Sequence, residues 1–415
     1  MEPINLVAHL RAALIWRIAR FILAIAVLVT LGVSLFLPGK DYRHFAFLAD
    51  ALAHHIYSVN HLPADYADKV IWDNQIYLPL APLPAVLLLP LTATVGLAFD
   101  EIWLAYLFTG ANILCAWVLL KRLRVPPDFR WTLLALFFGG TIYLADWSTG
   151  RSWWLAHILA TMFLLLAITE VLTRRRAWLI GAWLGLAFLT RAPTIFALPF
   201  FVWLLKPMDQ SWLDLRWWFS LSVKLALGFA LPALFFLDYN FVRFGSPLET
   251  GYRYAVLATP TLAAALRQGL FSPVHIAKNL YALLLAAPQA FPNFSAPTLQ
   301  FPYVYPSPWG MSIFLTTPAF IYIFGANWRE RIVRAAWLAI GFVAIPLVLY
   351  YGVGWYQFGY RYALDFYPFL FVLTALGTKT MTRARWLIVL SIVINVWGAW
   401  WQMLGFRALP PELLR

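Results

Sequence analysis

Between positions 77 and 99 the chain reads Tyr77-Leu-Pro-Leu-Ala-Pro-Leu-Pro-Ala-Val-Leu-Leu-Leu-Pro-Leu-Thr-Ala-Thr-Val-Gly-Leu-Ala-Phe99. By length and apolarity the run qualifies as a membrane span, for which about 20 residues suffice. Its prolines, Pro79, Pro82, Pro84 and Pro90, argue the other way. An interior proline lacks the backbone donor and crowds the preceding turn, which disfavours a regular spanning helix. Charge supplies the tie-break. Were the run to cross, the basic group Lys121, Arg122, Arg124 and Arg130 would face outward, against the tendency of Lys and Arg to remain inside. The run is therefore read as a re-entrant or interface-lying element, and the topology of everything after it depends on that reading.

Working outward, 62% of the 415 residues are apolar and 12% charged, with a mean hydropathy of +0.73. So little polar surface excludes a water-soluble globule. The expected fold is all-α: a polytopic helical membrane protein with about eleven transmembrane helices. The spans fall near 19–37, 102–120, 131–147, 154–172, 177–190, 192–205, 217–237, 309–326, 335–351, 363–378 and 386–405. One transmembrane domain covers 1–415, without internal repeats or low-complexity tracts. The N-terminus is expected inside, and the first run is expected to stay as an anchor, since it lacks a small-residue cleavage site and follows Arg11, Arg17 and Arg20. The net charge of +13 comes in short clusters between apolar runs, which is how topology is set, so nucleic acid is not an expected partner. The single cysteine, Cys115, permits no internal disulfide and no thiolate metal cluster.

Two long segments then lie outside the membrane, 38–100 and 238–308, and any chemistry is expected there. In the first, Phe45, Leu48, Ala49, Leu52 and Ile56 recur at helical spacing with Arg43, Asp50 and His54 opposite, which reads as a helix lying flat on the membrane. Such a helix sets Asp41 at headgroup depth, either as its N-terminal cap or as a carboxylate between a lipid phosphate ester and a water-borne acceptor. Arg151 lies in a short loop with Trp147, Trp153 and Trp154, followed by His157. The tryptophans read as interface anchors and the arginine as an anion ligand. Arg191 tips a short hairpin, where it needs a partner, either a lipid-linked phosphate or Asp146. Arg361 and Asp365 are spaced as an intrahelical ion pair, with a phosphate clamp as the second reading. The second segment, aromatic and proline-rich, suits a lid over a lipid-facing groove.

These features resemble the GT-C superfamily of polyprenyl-phosphate-sugar-dependent glycosyltransferases, the fold of protein O-mannosyltransferases and bacterial aminoarabinose transferases. The shared pattern is an inside N-terminus, an acid just after the first span, a first outer loop with flat helices, and the proline-rich element beginning at Tyr77. Where many relatives carry Asp-Glu or Asp-x-Asp, Asp41 is followed here by Tyr42 and Arg43. The resemblance implies transfer of a sugar, with inversion, from a polyprenyl phosphate to a glycan, lipid or protein acceptor on the outer face of a bacterial or archaeal plasma membrane. Asp41 would be the general base. Arg151, Arg191, Arg361 and Lys69 would bind the donor phosphate, and Arg43, His44, Tyr77, His157 and Tyr360 the rest of the substrates. No cofactor is implied; some relatives use a divalent metal, but the acids and histidines here show no metal-ligand spacing. A transporter or flippase is the alternative from another class, and would place ionisable groups deep within the spans. A non-catalytic lipid-binding relative of the fold is a third reading.

Overall fold

In the computed structural model, which describes residues 6–37, 42–63, 66–292 and 298–410, the apolar core of the proline-rich run is a helix of only 13 residues, Leu83–Val95. Pro84 sits in its first turn, where no donor is lost, and Pro90 lies inside it. At 1.5 Å per residue it is about 20 Å long, short of the roughly 30 Å hydrocarbon core.

In chain order the helices are α1 (Leu6–Phe36), α2 (His44–Ala53), α3 (Leu83–Val95), α4 (Ile102–Arg122), α5 (Pro127–Gly139), α6 (Tyr143–Thr149), α7 (Trp153–Val171) and α8 (Ala177–Phe188). They continue as α9 (Leu198–Leu205), α10 (Leu215–Phe244), α11 (Pro260–Arg267), α12 (Ile276–Leu284), α13 (Ile313–Thr316), α14 (Arg331–Leu349), α15 (Tyr367–Gly377) and α16 (Met381–Met403). Helical structure overlies every segment read as a span, although several are broken. Gly140, Thr141 and Ile142 separate α5 from α6, and 3-10 turns at Ala192–Ala197 and Arg361–Asp365 precede α9 and α15. Among the described residues five helices are long and apolar enough to cross a membrane: α4, α7, α10, α14 and α16 from Ala384.

The most buried of these is α7, with 89% of its apolar window inside the protein, whereas α10 has 11%. The outlying α10 packs on α8 through glycines. A Cβ at Gly181 would stand 2.1 Å from the carbonyl oxygen of Leu225, and one at Gly228 would stand 1.7 Å from that of Trp178. Gly181 and Gly185 form a G-x-x-x-G step on α8, the small-residue surface that lets two membrane helices approach at backbone distance.

Three expectations are corrected. Helix α2 exists, but Phe45, Leu48 and Ala49 are fully enclosed by protein, chiefly by α3, so its apolar face does not rest on lipid. Ile56 falls beyond its end and is exposed. Helix α10 runs on to Phe244, so the first residues of the 238–308 segment, Arg243 among them, are helical and not loop. The fold also contains small sheets that an all-α reading omits. Strand β1 (Lys69–Trp72) pairs antiparallel with β2 (Gln75–Tyr77) on one side and β3 (Ala255–Val256) on the other. A second ribbon joins β4 (Gln289–Pro292) to β5 (Leu299–Tyr305). The first sheet clips the segments 38–100 and 238–308 together, with Lys69 opposite Val256.

Candidate functional site

The base of the first outer segment is fixed by a buried chain of hydrogen bonds. Glu101, just before α4, accepts from the backbone N–H of Ala46 at 2.7 Å and of Ser152 at 2.6 Å. Ser152 Oγ accepts from the His44 N–H at 3.0 Å and lies 2.7 Å from His44 Nδ1, while His44 Nε2 lies 3.1 Å from the carbonyl of Ala67. A carbonyl only accepts, so Nε2 carries the proton and Nδ1 accepts from the serine. Burial pushes the His44 pKa down to about 4, the Ala67 bond opposing it in part, so the ring is neutral at pH 7. This chain places Asp68, whose own N–H donates to the carbonyl of Val256 at 2.9 Å across the sheet. Its backbone has a φ of 56°, in the left-handed region where non-glycine residues are uncommon.

Asp68 faces a cavity of about 500 Å³. The walls are mostly apolar: Leu80 in the loop before α3, Phe188, Phe196, Phe236 and Leu347 on helical segments, and Leu257 and Phe271 from the 238–308 segment. Set into them are Asp68, Arg191, Arg243, Arg361, Asn240, Tyr252 and Tyr362. Burial raises the Asp68 pKa to about 6, and the field of Arg361 holds it from rising further. A concave apolar pocket with a few convergent polar groups is the usual form of a ligand site.

The three arginines are satisfied in different ways. Arg191 donates from Nε and Nη2 to the two carboxylate oxygens of Asp365, at 3.1 and 2.9 Å. Arg243, 4% exposed, meets only neutral acceptors: the carbonyls of Tyr239 and Leu78 and Oδ1 of Asn240. Arg361, 5% exposed, donates from Nη1 to the carbonyl of Trp355 at 3.1 Å and lies 5.4 Å from the rings of Trp153 and Tyr362. Its Nε is buried with no hydrogen-bond partner. Among the described residues no carboxylate pairs with Arg243 or Arg361. Asp365 turned to Arg191 because residues 361–365 form a 3-10 turn, in which positions four apart point about 120° away from each other. The ion pair expected from α-helical spacing is thereby overturned, as is Asp146 as the partner of Arg191.

A second cavity, of about 200 Å³, is more polar, lined by Ser34, Ser148, Thr149, Arg151, Gln402 and Arg407. Tyr42 and Tyr356 line both cavities and so form part of the wall between them. Arg151 belongs here and not to the larger cavity. It donates from Nε and Nη2 to both oxygens of Asp100, at 2.8 and 2.6 Å. Burial works against ionisation of Asp100, but Arg151 and the N–H of Ile102 outweigh it and hold the carboxyl below its usual range.

Of the residues singled out from sequence, the structure thus brings Arg191 and Arg361 to one cavity and leaves the others elsewhere. Lys69 is buried in β1 and Tyr77 sits in β2 with its ring against Phe244, 5.4 Å between centroids. Arg43 donates from Nη2 to the carbonyls of Leu97 and Phe99, tying α2 to the end of the proline-rich run. His157 is buried beside Asp365, with Nδ1 3.2 Å from Oδ1. The Tyr360 hydroxyl donates to Oδ1 of Asn279 at 3.1 Å. Asp41 lies outside the described residues, immediately before Tyr42. Sequence reading passed over Asp68 and Arg243. The signal for the first was the stretch Val70-Ile71-Trp72-Asp73-Asn74-Gln75-Ile76-Tyr77, a strand-turn-strand pattern whose Asp73 and Asn74 both adopt positive φ. Among the described residues no group of three His, Cys, Asp or Glu side chains is placed to hold a metal ion.

Comparison with known proteins gives no match: no family model, no curated protein and no solved structure aligns with this chain.

Proposed function

We propose that the protein is a membrane glycosyltransferase of the GT-C type, which moves a sugar from a polyprenyl-phosphate donor to an acceptor on the extracytoplasmic face. The observation that carries the reading is Arg361. A buried guanidinium with no carboxylate in ion-pair contact, and only the more distant fields of Asp68 and Asp146 beside it, is costly, and a bound anion lowers the cost. Its cavity is walled by apolar side chains that suit a polyprenyl chain, so the anion it fits best is a lipid-linked phosphate. Arg243 adds a second buried cation on the same wall.

In this reading the acceptor oxygen attacks the anomeric carbon from the side opposite the phosphate. The carbon–oxygen bond to the phosphate breaks, its electron pair leaves with the polyprenyl phosphate, and configuration inverts. The acceptor proton passes to Asp41, which precedes the shared wall residue Tyr42; Arg361 and Arg243 take up the charge growing on the phosphate. The larger cavity then houses the donor and the smaller one, polar and in contact across Tyr42 and Tyr356, houses the acceptor. The chambers are parted at Tyr42 and Tyr356, so in this reading those two rings swing aside to let the reacting atoms come within about 3.5 Å. The span count of about eleven and the inside N-terminus belong to the same proposal.

The test is release of polyprenyl phosphate from a polyprenyl-phosphate sugar by the full-length protein in detergent with an acceptor mixture. Asp41→Asn is expected to lower turnover by at least about 100-fold with donor binding retained; unchanged release would remove Asp41 as base.

One observation favours the transporter reading. Asp146, His157, Arg191 and Asp365 are all within or at the ends of apolar helices, and one carboxylate oxygen of Asp146 is buried without a hydrogen-bond partner. Ionisable groups so placed are common in transport paths. Movement of intact donor lipid between leaflets of sealed vesicles, with no release of free phosphate, would decide for it.

A further inference from the structure

Three helices that wall the larger cavity lead to a group of cations at their opposite ends. Helix α14 runs from cavity-lining Leu347 back to Arg334 and Arg331, about 22 Å at 1.5 Å per residue. Helix α9 leads from the cavity-lining turn at Phe196 to Lys206, and α8 leads from Phe188 back toward Arg175.

At that end Arg175 donates to the carbonyl of Leu204, and Nη2 of Arg331 donates to the carbonyls of Trp203 at 2.6 Å and Lys206 at 2.8 Å. Both close the last turn of α9, whose orphan carbonyls carry roughly half a negative charge. The guanidinium of Arg334 lies 5.5 Å from the ring of Trp203, and the ammonium of Lys206 lies 4.8 Å from that of Trp212. Arg175 and Arg334 both act on Arg331 as like charges. Among the described residues none of these four cations has a carboxylate partner: Glu170 is taken by Arg176, and Asp214 caps α10. Asp209, Asp214 and Glu330 lie on the same segments but none forms an ion pair with these four, and Lys206, itself buried, donates to the carbonyls of Pro207 and Gln210, so Arg175, Arg331 and Arg334 carry the open positive charge.

What stands beside it identifies the anion. Met208, Leu213, Leu215 and Phe219 are 77, 88, 80 and 73% exposed, an apolar fringe that a site for a water-borne anion does not need. Trp203, Trp212, Trp217 and Trp218 stack along the same edge, with centroids 4.8 to 6.5 Å apart. Tryptophans of this kind mark the level of lipid head groups.

We propose that Arg175, Arg331 and Arg334, backed by the charge of the buried Lys206, bind the phosphate of an anionic phospholipid in the leaflet opposite the cavity, with the exposed side chains of 208–219 lying against its acyl chains. Basic pockets between helix ends are a recurrent way of holding such head groups. The site is separate from the transferase chemistry and stands or falls without it.

The experiment is native mass spectrometry of the full-length protein in micelles carrying either phosphatidylglycerol or phosphatidylcholine. Retention of phosphatidylglycerol is expected to be at least about fivefold better, and to fall by a similar factor in Arg175→Gln/Arg334→Gln. Should that pair fail to fold, Arg334→Gln alone gives the same reading, since its exposed side chain makes no hydrogen bond in the described structure. Lys121→Gln, which removes a cation from the end of α4, is expected to change retention less than about twofold. Equal retention of the two lipids, equal loss in Lys121→Gln, or displacement of the lipid by millimolar inorganic phosphate would each overturn the assignment.

Discussion

Asp365 accepts two hydrogen bonds from the Arg191 fork and forms no ion pair with Arg361, four positions earlier in the chain. Two arginines on the wall of one cavity are therefore electrically unlike. Arg191 is neutralised and held in place. Arg361, boxed by Trp153, Trp154 and Tyr362, keeps its charge for whatever enters.

Breaking the first pair should be costly. Asp365→Asn leaves the Arg191 guanidinium buried without its counter-charge, and a loss of about 3–5 kcal/mol is expected. Arg191→Gln combined with Asp365→Asn removes both charges and should recover part of that loss. Denaturation of the three variants in one detergent measures the difference; strictly additive losses would show that the pair is not coupled.

Arg361 should behave in the opposite way. Arg361→Gln removes a buried charge that has no carboxylate in ion-pair contact, so thermal stability is expected to hold, while donor-dependent turnover falls by about 100-fold or more. A variant that loses stability and activity together would make Arg361 a structural residue.

Stability should also depend on pH through Asp68 and Glu101. Burial raises their pKa values to about 6 and about 7, the second despite two backbone N–H bonds from Ser152 and Ala46. A carboxyl whose folded pKa is raised binds protons more tightly when folded. Its contribution is fully present below the unfolded value of about 4 and is lost as pH rises through the folded one. Between pH 5 and pH 8 both groups therefore lower stability as pH rises, opposed up to about pH 6.5 by His44, whose lowered pKa has the reverse sign, and Asp68→Asn and Glu101→Gln should each flatten the fall. Asp100, whose pKa is lowered, titrates below this window and contributes no slope there. Melting temperatures at the two pH values give the comparison.

The glycine contact between α8 and α10 sets a further expectation. Gly228→Ala puts a methyl group where the Trp178 carbonyl stands, 1.7 Å away, so the helices must part. A loss of about 1–3 kcal/mol is expected from overpacking. Gly32→Ala, with nothing within 4 Å of the added carbon, serves as the control and should be neutral or stabilising. Equal melting temperatures for the two would show that α10 is not held through this contact.

Much of the membrane body was legible because apolarity and proline leave direct marks. The run 77–99 could be set apart by its four prolines and by the basic residues after it, and its helix is short in the structure. What escaped was anything decided by the difference between an α and a 3-10 turn. Residues 361–365 show the same spacing in either form, but only one of them puts Arg361 against Asp365. The sheet escaped because strands of two to four residues add little to an apolar background, although Asp73-Asn74 between Trp72 and Gln75 was a turn signal. Arg243 fell in a loop because the apolar run was ended at 237, before Asp238; its guanidinium lies over the rings of Tyr239 and Phe244 and donates to carbonyls.

Tyr42 and Tyr356 face both cavities, so the two chambers do not have independent volumes. A ring that swings to admit a larger group on one side takes that room from the other. Size selection at either chamber is then read against how full its neighbour is, and changes to these two side chains should shift the preferences of both chambers at once and in opposite directions.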